Sequence, residues 1–142
     1  MSARVLLVGE SNPYGSDPYF ALYPEPDGCA GARLCAVLGY EPSTYLRAFD
    51  RCNLLIGPRW SVPAARGAAD TLTAEYRVLL GARVARAHGL MFVPFCNVQD
   101  NGWRGVVLPH PSGRSRLWNE SGAPLRARRL VADLVRLAGA AR

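Results

Sequence analysis

The chain has 142 residues, enough for one domain with a real core, and its 49% hydrophobic and 20% charged composition is ordinary for a globular protein. No apolar run approaches the roughly 20 residues of a membrane-spanning helix, and nothing ahead of the first strand reads as a signal peptide, so a cytoplasmic protein is expected. The net charge of +6 favours a polyanionic partner over a neutral metabolite.

All 17 basic residues are Arg, with no Lys in the chain, which is itself the mark of a GC-rich genome. They thicken toward the C-terminus, at Arg114, Arg116, Arg126, Arg128, Arg129, Arg136 and Arg142. Cys29, Cys35, Cys52 and Cys96 form no Cys-x-x-Cys pair and no paired-His spacing. Neither a metal site nor an iron–sulfur cluster is expected, and the thiols should be reduced.

In chain order, residues 4–8 form the first strand, with the wholly apolar run Val5-Leu6-Leu7-Val8, followed by the polar loop Gly9-Glu10-Ser11-Asn12-Pro13-Tyr14-Gly15. Residues 31–38 have helical spacing and stop at Gly39. A short helix over 45–49 precedes the second strand, Cys52 to Ile56, which Gly57-Pro58 breaks. Ser61-Val62-Pro63 opens an Ala-rich helix over 63–75. Arg77 to Leu80 is the third strand, and Gly81 permits a tight turn into a helix over 82–88 closed by Gly89. His88, late in that helix, is taken as structural, a cation there suiting the last carbonyls. Met91 to Cys96 fits a short strand or a packed loop. Val106 to Leu108 is the last strand, and residues 124–137 form a final amphipathic helix. Strands alternating with helices predict an α/β fold, a three-layer α/β/α sandwich around a central four-stranded, mainly parallel sheet.

Ligands of such sheets bind beyond the C-terminal ends of the strands. The loop after the first strand and His110-Pro111-Ser112-Gly113-Arg114-Ser115-Arg116 after the last should therefore share one crevice. Together they offer a carboxamide, a carboxylate, an imidazole, hydroxyls and guanidinium groups, an inventory suited to hydrolysis on an anionic polymer. No phosphate-binding Gly-Lys-Ser/Thr ending, no Gly-x-Gly-x-x-Gly and no Gly-x-Ser-x-Gly elbow is present.

Gly9, Asn12-Pro13-Tyr14 and Leu108-Pro109-His110-Pro111-Ser112-Gly113-Arg114 resemble, in content and order, the two site loops of the uracil-DNA glycosylase superfamily. Cys52-Asn53-Leu54-Leu55 falls where that family carries a base-reading Asn, and Arg77 to Gly81 is similar to the segment preceding its second loop. The resemblance spans roughly residues 4–137, nearest the mismatch-specific and single-strand-selective branches. It implies one domain over 1–142 that hydrolyses the N-glycosidic bond of uracil or another altered base in DNA. It also implies base flipping, no cofactor and a monomer.

On that resemblance His110 donates to the leaving base, and Asn12 or Glu10 positions water. Asn53 reads a Watson–Crick edge, Phe20 or Tyr23 stacks on the flipped base, and Tyr14 excludes a bulky substituent. Ser112 holds phosphate, Arg114 enters the vacated stack, and Arg116 lies nearby. Simple loop packing for Tyr14 and Phe20, a strand-edge role for Asn53 and a solvated charge for Arg116 are the competing readings. A nucleic-acid-binding member without catalysis and a free nucleoside or nucleotide hydrolase are the functional alternatives. With no Lys to form a Schiff base, excision should be monofunctional, with water as nucleophile.

Overall fold

The computed structural model describes residues 3–12, 15, 17–57 and 59–141; of Asn12 it describes the backbone alone. Five strands form one sheet: β1 (Val5–Asn12), β2 (Phe49–Ile56), β3 (Tyr76–Leu80), β4 (Cys96–Asp100) and β5 (Trp103–Leu108), in the order β2-β1-β3-β5-β4. The first four in that order run parallel, and β4 pairs antiparallel with β5. The described residues form five α-helices, α1 (Ala30–Leu38), α2 (Pro42–Ala48), α3 (Val62–Asp70), α4 (Ala82–Ala87) and α5 (Ala123–Ala140).

Period-two alternation divides the core between the two faces of the sheet. Val5, Leu7, Val78, Leu80, Val106 and Leu108 pack with Leu34, Leu38, Val131 and Leu134 of α1 and α5. Val8, Leu79 and Val107 point the other way, onto Ala65, Ala69, Val84 and Ala85 of α3 and α4. The α/β expectation therefore stands, with helices on both faces.

The sheet has five strands, where four were expected. The missed strand, β4, has the sequence Cys-Asn-Val-Gln-Asp, with no apolar run, because it is an edge strand with mostly open side chains. It turns into β5 through Asn101-Gly102, with Asp100 opposite Trp103 and Gly102 at φ +90°. An Asn-Gly between two extended runs is a hairpin signal. Residues 91–95 are a packed loop, apart from this strand.

Other boundaries also move. Phe49 begins β2 rather than ending α2, since its ring is needed against Tyr40 and Tyr45 in the core. The third helix stops at Asp70, five residues before the expected Glu75. There Arg77 reaches back from β3, its Nε donating to the Ala74 carbonyl at 2.8 Å and Nη2 to that of Leu72 at 3.0 Å. Its guanidinium lies 4.8 Å from the Trp103 ring centroid, so an otherwise costly buried cation has two carbonyls and an aromatic face as partners.

Candidate active site

The sheet changes direction of winding at β1, which has β2 on one side and β3 on the other, so a crevice opens beyond these C-terminal ends. Three strand ends deliver residues there. Glu10 comes from β1, Gly81 follows β3, and His110 follows β5. Gly81 sits at φ +101°, and a Cβ there would lie 3.2 Å from His110 Cβ and 3.3 Å from Glu10 Oε2. Its missing side chain is what lets the acid and the imidazole approach one another.

His110 Nε2 lies 3.9 Å from Glu10 Oε2, and Glu10 is 3.7 Å from Arg83 Nη1 of α4. The Ser112 backbone amide donates to His110 Nδ1 at 3.1 Å, making Nδ1 the acceptor and leaving the proton of the neutral ring on Nε2. Burial is the main cause holding the His110 pKa below its ordinary 6.5; Glu10 pulls it up and Arg83 pushes it down. The site thus presents a neutral N–H donor at neutral pH. Trp118 Nε1 donates to the His110 carbonyl at 3.0 Å, and its ring packs edge-on against Phe95, so the loop is tied to the core.

His110 and Glu10 stand between two concavities. The larger, about 810 Å³, is walled by Phe20, Leu22, Tyr23, Asn53 and the 25–31 segment. Asn53 lies opposite Gly9 in the β1–β2 register, and a Cβ on Gly9 would collide with Asn53 Oδ1. Glycine at position 9 leaves the carboxamide its place. Phe20 and Tyr23 meet edge-on at 5.2 Å between centroids, with Tyr19 beside both. Arg51 of β2 fastens this aromatic segment: Nη1 donates to the carbonyls of Tyr19 and Ala21, and the guanidinium lies over the Tyr19 and Tyr23 rings. The Tyr45 hydroxyl donates to the Leu22 carbonyl at 2.8 Å. Four carboxylate residues, Glu10, Asp17, Glu25 and Asp27, also wall the cleft, with no Arg among its described walls.

The smaller concavity, about 510 Å³, has opposite character. Arg83, Arg114, Ser112 and Ser115 line it with Phe92 and Leu117. Cation and hydroxyl donors here suit a phosphate, which the acidic cleft would repel.

The structure therefore brings Glu10, Phe20, Tyr23, Asn53 and His110 to one cleft, and Ser112 and Arg114 to the adjoining groove. Arg116 is exposed at the start of a 3-10 turn, Arg116–Asn119, and lines neither. Asn12 ends β1 opposite Ile56, but its side chain, like Tyr14 as a whole, lies outside the described residues. The basic C-terminal helix turns out to be occupied elsewhere. Arg128 donates to the Val37 carbonyl at the far end of α1, Arg136 pairs with Asp133, and Arg126 covers the Phe95 ring.

His88 is indeed a packing residue, but not as a cation. Its ring sits edge-on to Trp103, Nδ1 is bonded to the Val84 carbonyl at 2.8 Å, and burial lowers its pKa. Sequence reasoning passed over Arg83, Arg51 and Trp118. Arg83, two residues past a strand-Gly junction, was open to detection by position; Arg51 and Trp118 act through distant backbone and leave no local signal.

Among the described residues no group of three or more His, Cys, Asp and Glu is placed to hold a metal ion, and no helix is long and apolar enough to cross a membrane. No protein-family model matches the chain, and no curated protein matches it.

Proposed function

We propose that the protein is a monofunctional N-glycosidic hydrolase of the uracil-DNA glycosylase kind, acting on an altered base in DNA. The observation that carries this is the neutral His110 Nε2–H, fixed by the Ser112 amide, at the junction of an aromatic-walled cleft and an arginine-and-hydroxyl groove. The cleft suits an uncharged base extruded from a strand, with Asn53 offering a donor and an acceptor and the Phe20–Tyr23 pair a stacking surface. The groove suits the phosphate next to it.

In the reaction the C1′–N bond breaks and its electron pair passes into the base. His110 Nε2–H donates to the base oxygen where that charge collects. Water adds to the oxocarbenium-like C1′ on the other side, and its proton leaves to Glu10 or solvent. Glu10, 20% exposed and facing the same cleft, is a carboxylate able to hold that water, and Asn12 at the end of β1 is the second candidate for this task.

Oligonucleotides bearing uracil, hydroxymethyluracil or hypoxanthine, treated with the protein and then with alkali, test the reading by strand breakage. His110→Ala should lower base release by about 10²-fold or more while leaving DNA binding largely intact. Release at the wild-type rate in that variant would remove His110 from the mechanism. The four carboxylates favour a second reading, a hydrolase of free nucleosides, whose substrate carries no phosphate for them to repel. Release from nucleosides and not from oligonucleotides would select it.

A further inference from the structure

Beyond the two concavities around His110 lies a third, about 520 Å³, between α3 and α4. Trp60, Val62, Arg66, Arg83, Arg86 and Met91 are among its walls, and no carboxylate is, among the described residues. Arg83 also walls the His110 groove, so the two concavities adjoin across its side chain. Its guanidinium lies 5.5 Å from the Trp60 ring centroid. Val62 is 59% exposed and Met91 85%. Val62 and Met91, left open beside three guanidinium groups, do not serve the core, which lies beneath them in Ala65, Val84 and Ala87 with Trp60 packed partly against it.

We propose that this groove is a second nucleic-acid subsite, taking the single-stranded phosphodiester chain that flanks the nucleotide at His110. Guanidinium groups neutralise successive phosphates, and Trp60 with its apolar neighbours receives unstacked bases, the combination by which single strands are held without sequence preference. A duplex offers its bases already stacked and has no use for the apolar half of the groove. Charge complementarity and the wall shared with the His110 groove at Arg83 together select this occupant. The proposal extends the reading of the His110 site as a nucleic-acid site, yet its test is independent of catalysis.

The test is fluorescence anisotropy with unmodified, dye-labelled oligothymidylates of about four and about sixteen nucleotides, a range that brackets common single-strand site sizes. Arg66 and Arg86 are exposed, so the double variant R66E/R86E leaves the core untouched. It should weaken binding of the long strand at least about tenfold and flatten its salt dependence by about 1.4 in log–log slope, two phosphates at roughly 0.7 each. Trp60→Leu should weaken the long strand with the slope unchanged, and both variants should bind the short strand like the wild type. Wild-type affinity and slope for the long strand in both variants would overturn the subsite. Equal binding of poly-glutamate would overturn the nucleic-acid assignment in favour of an acidic peptide. Groove-dependent binding in a protein that excises no base would uphold the subsite and remove the glycosylase reading; base excision together with wild-type long-strand binding in both variants would do the reverse.

Discussion

At the scale of single residues, the behaviour of the site turns on one proton. His110 is held neutral by burial, with Glu10 and Arg83 acting on it in opposite directions. Excision that needs the neutral Nε2–H should be flat around neutral pH and fall on acidification, its acid limb lying below the ordinary 6.5. Glu10→Gln should move the His110 titration down, and Arg83→Gln should move it up. NMR titration of the two imidazoles checks this whether or not turnover survives, the His110 signals being those lost in His110→Ala. A rise of the His110 pKa in Glu10→Gln would contradict the assigned electrostatics. The same lowered values bear on stability. With the folded pKa of His88 and His110 below 6.5, the unfolded chain binds protons first as pH drops, so stability is lost through the window beneath 6.5 and regained above it.

At the scale of elements, the junction of β3 and α4 is the point where backbone geometry and site geometry coincide. Gly81 has φ +101° and ψ 167°, a conformation that L side chains rarely adopt, and its amide donates to the Leu108 carbonyl at 2.8 Å, tying β3 to the end of β5. Gly81→Ala adds strain of about 1–3 kcal/mol. Its methyl group also presses on His110 and Glu10. Thermal melting should drop, and base release should fall further than the loss of folded protein explains. A melting temperature and activity equal to the wild type would show that the junction tolerates a side chain. Gly9 is the milder case at the β1–β2 pair, where the collision would fall on the side chains of Asn53 and, less closely, Leu22.

At the scale of the whole molecule, charge is unevenly placed. The cleft that suits a base is walled by carboxylates, while cationic groups gather along Arg114, Arg83, Arg86 and Arg66 outside it. On the proposed reading this placement would hold a polyanion at the rim while an uncharged base passes inward. The chain has no Lys, so no side-chain amine is available to attack the sugar. Borohydride added during excision should therefore trap no covalent protein–DNA adduct, and the abasic strand should stay intact until alkali or heat breaks it. An adduct would overturn the water mechanism.

What the sequence determined by itself is what local chemistry reports. Val5 to Val8 and Val106 to Leu108 are apolar on both faces because helices bury both, and that pattern alone predicts parallel strands. The C-terminal ends of such strands share a crevice, which is why Glu10 and His110 were legible together. Strand β1 nonetheless runs on to Asn12, so Glu10 proves to lie within the strand and not in the loop expected after residue 8. The edge strand β4 was not legible by hydrophobicity, because an edge is under no pressure to bury its side chains, although Asn101-Gly102 marks its turn. Only the tertiary structure decided the rest. The position of α5 directs Arg128 to the Val37 carbonyl and Arg126 to the Phe95 ring, although the sequence groups them with Arg114. The supports of the site, Arg51 beneath the aromatic segment and Trp118 beneath His110, hold backbone carbonyls on other elements. A carbonyl is the same acceptor at every residue, so which one a distant donor meets leaves no trace in the order of side chains.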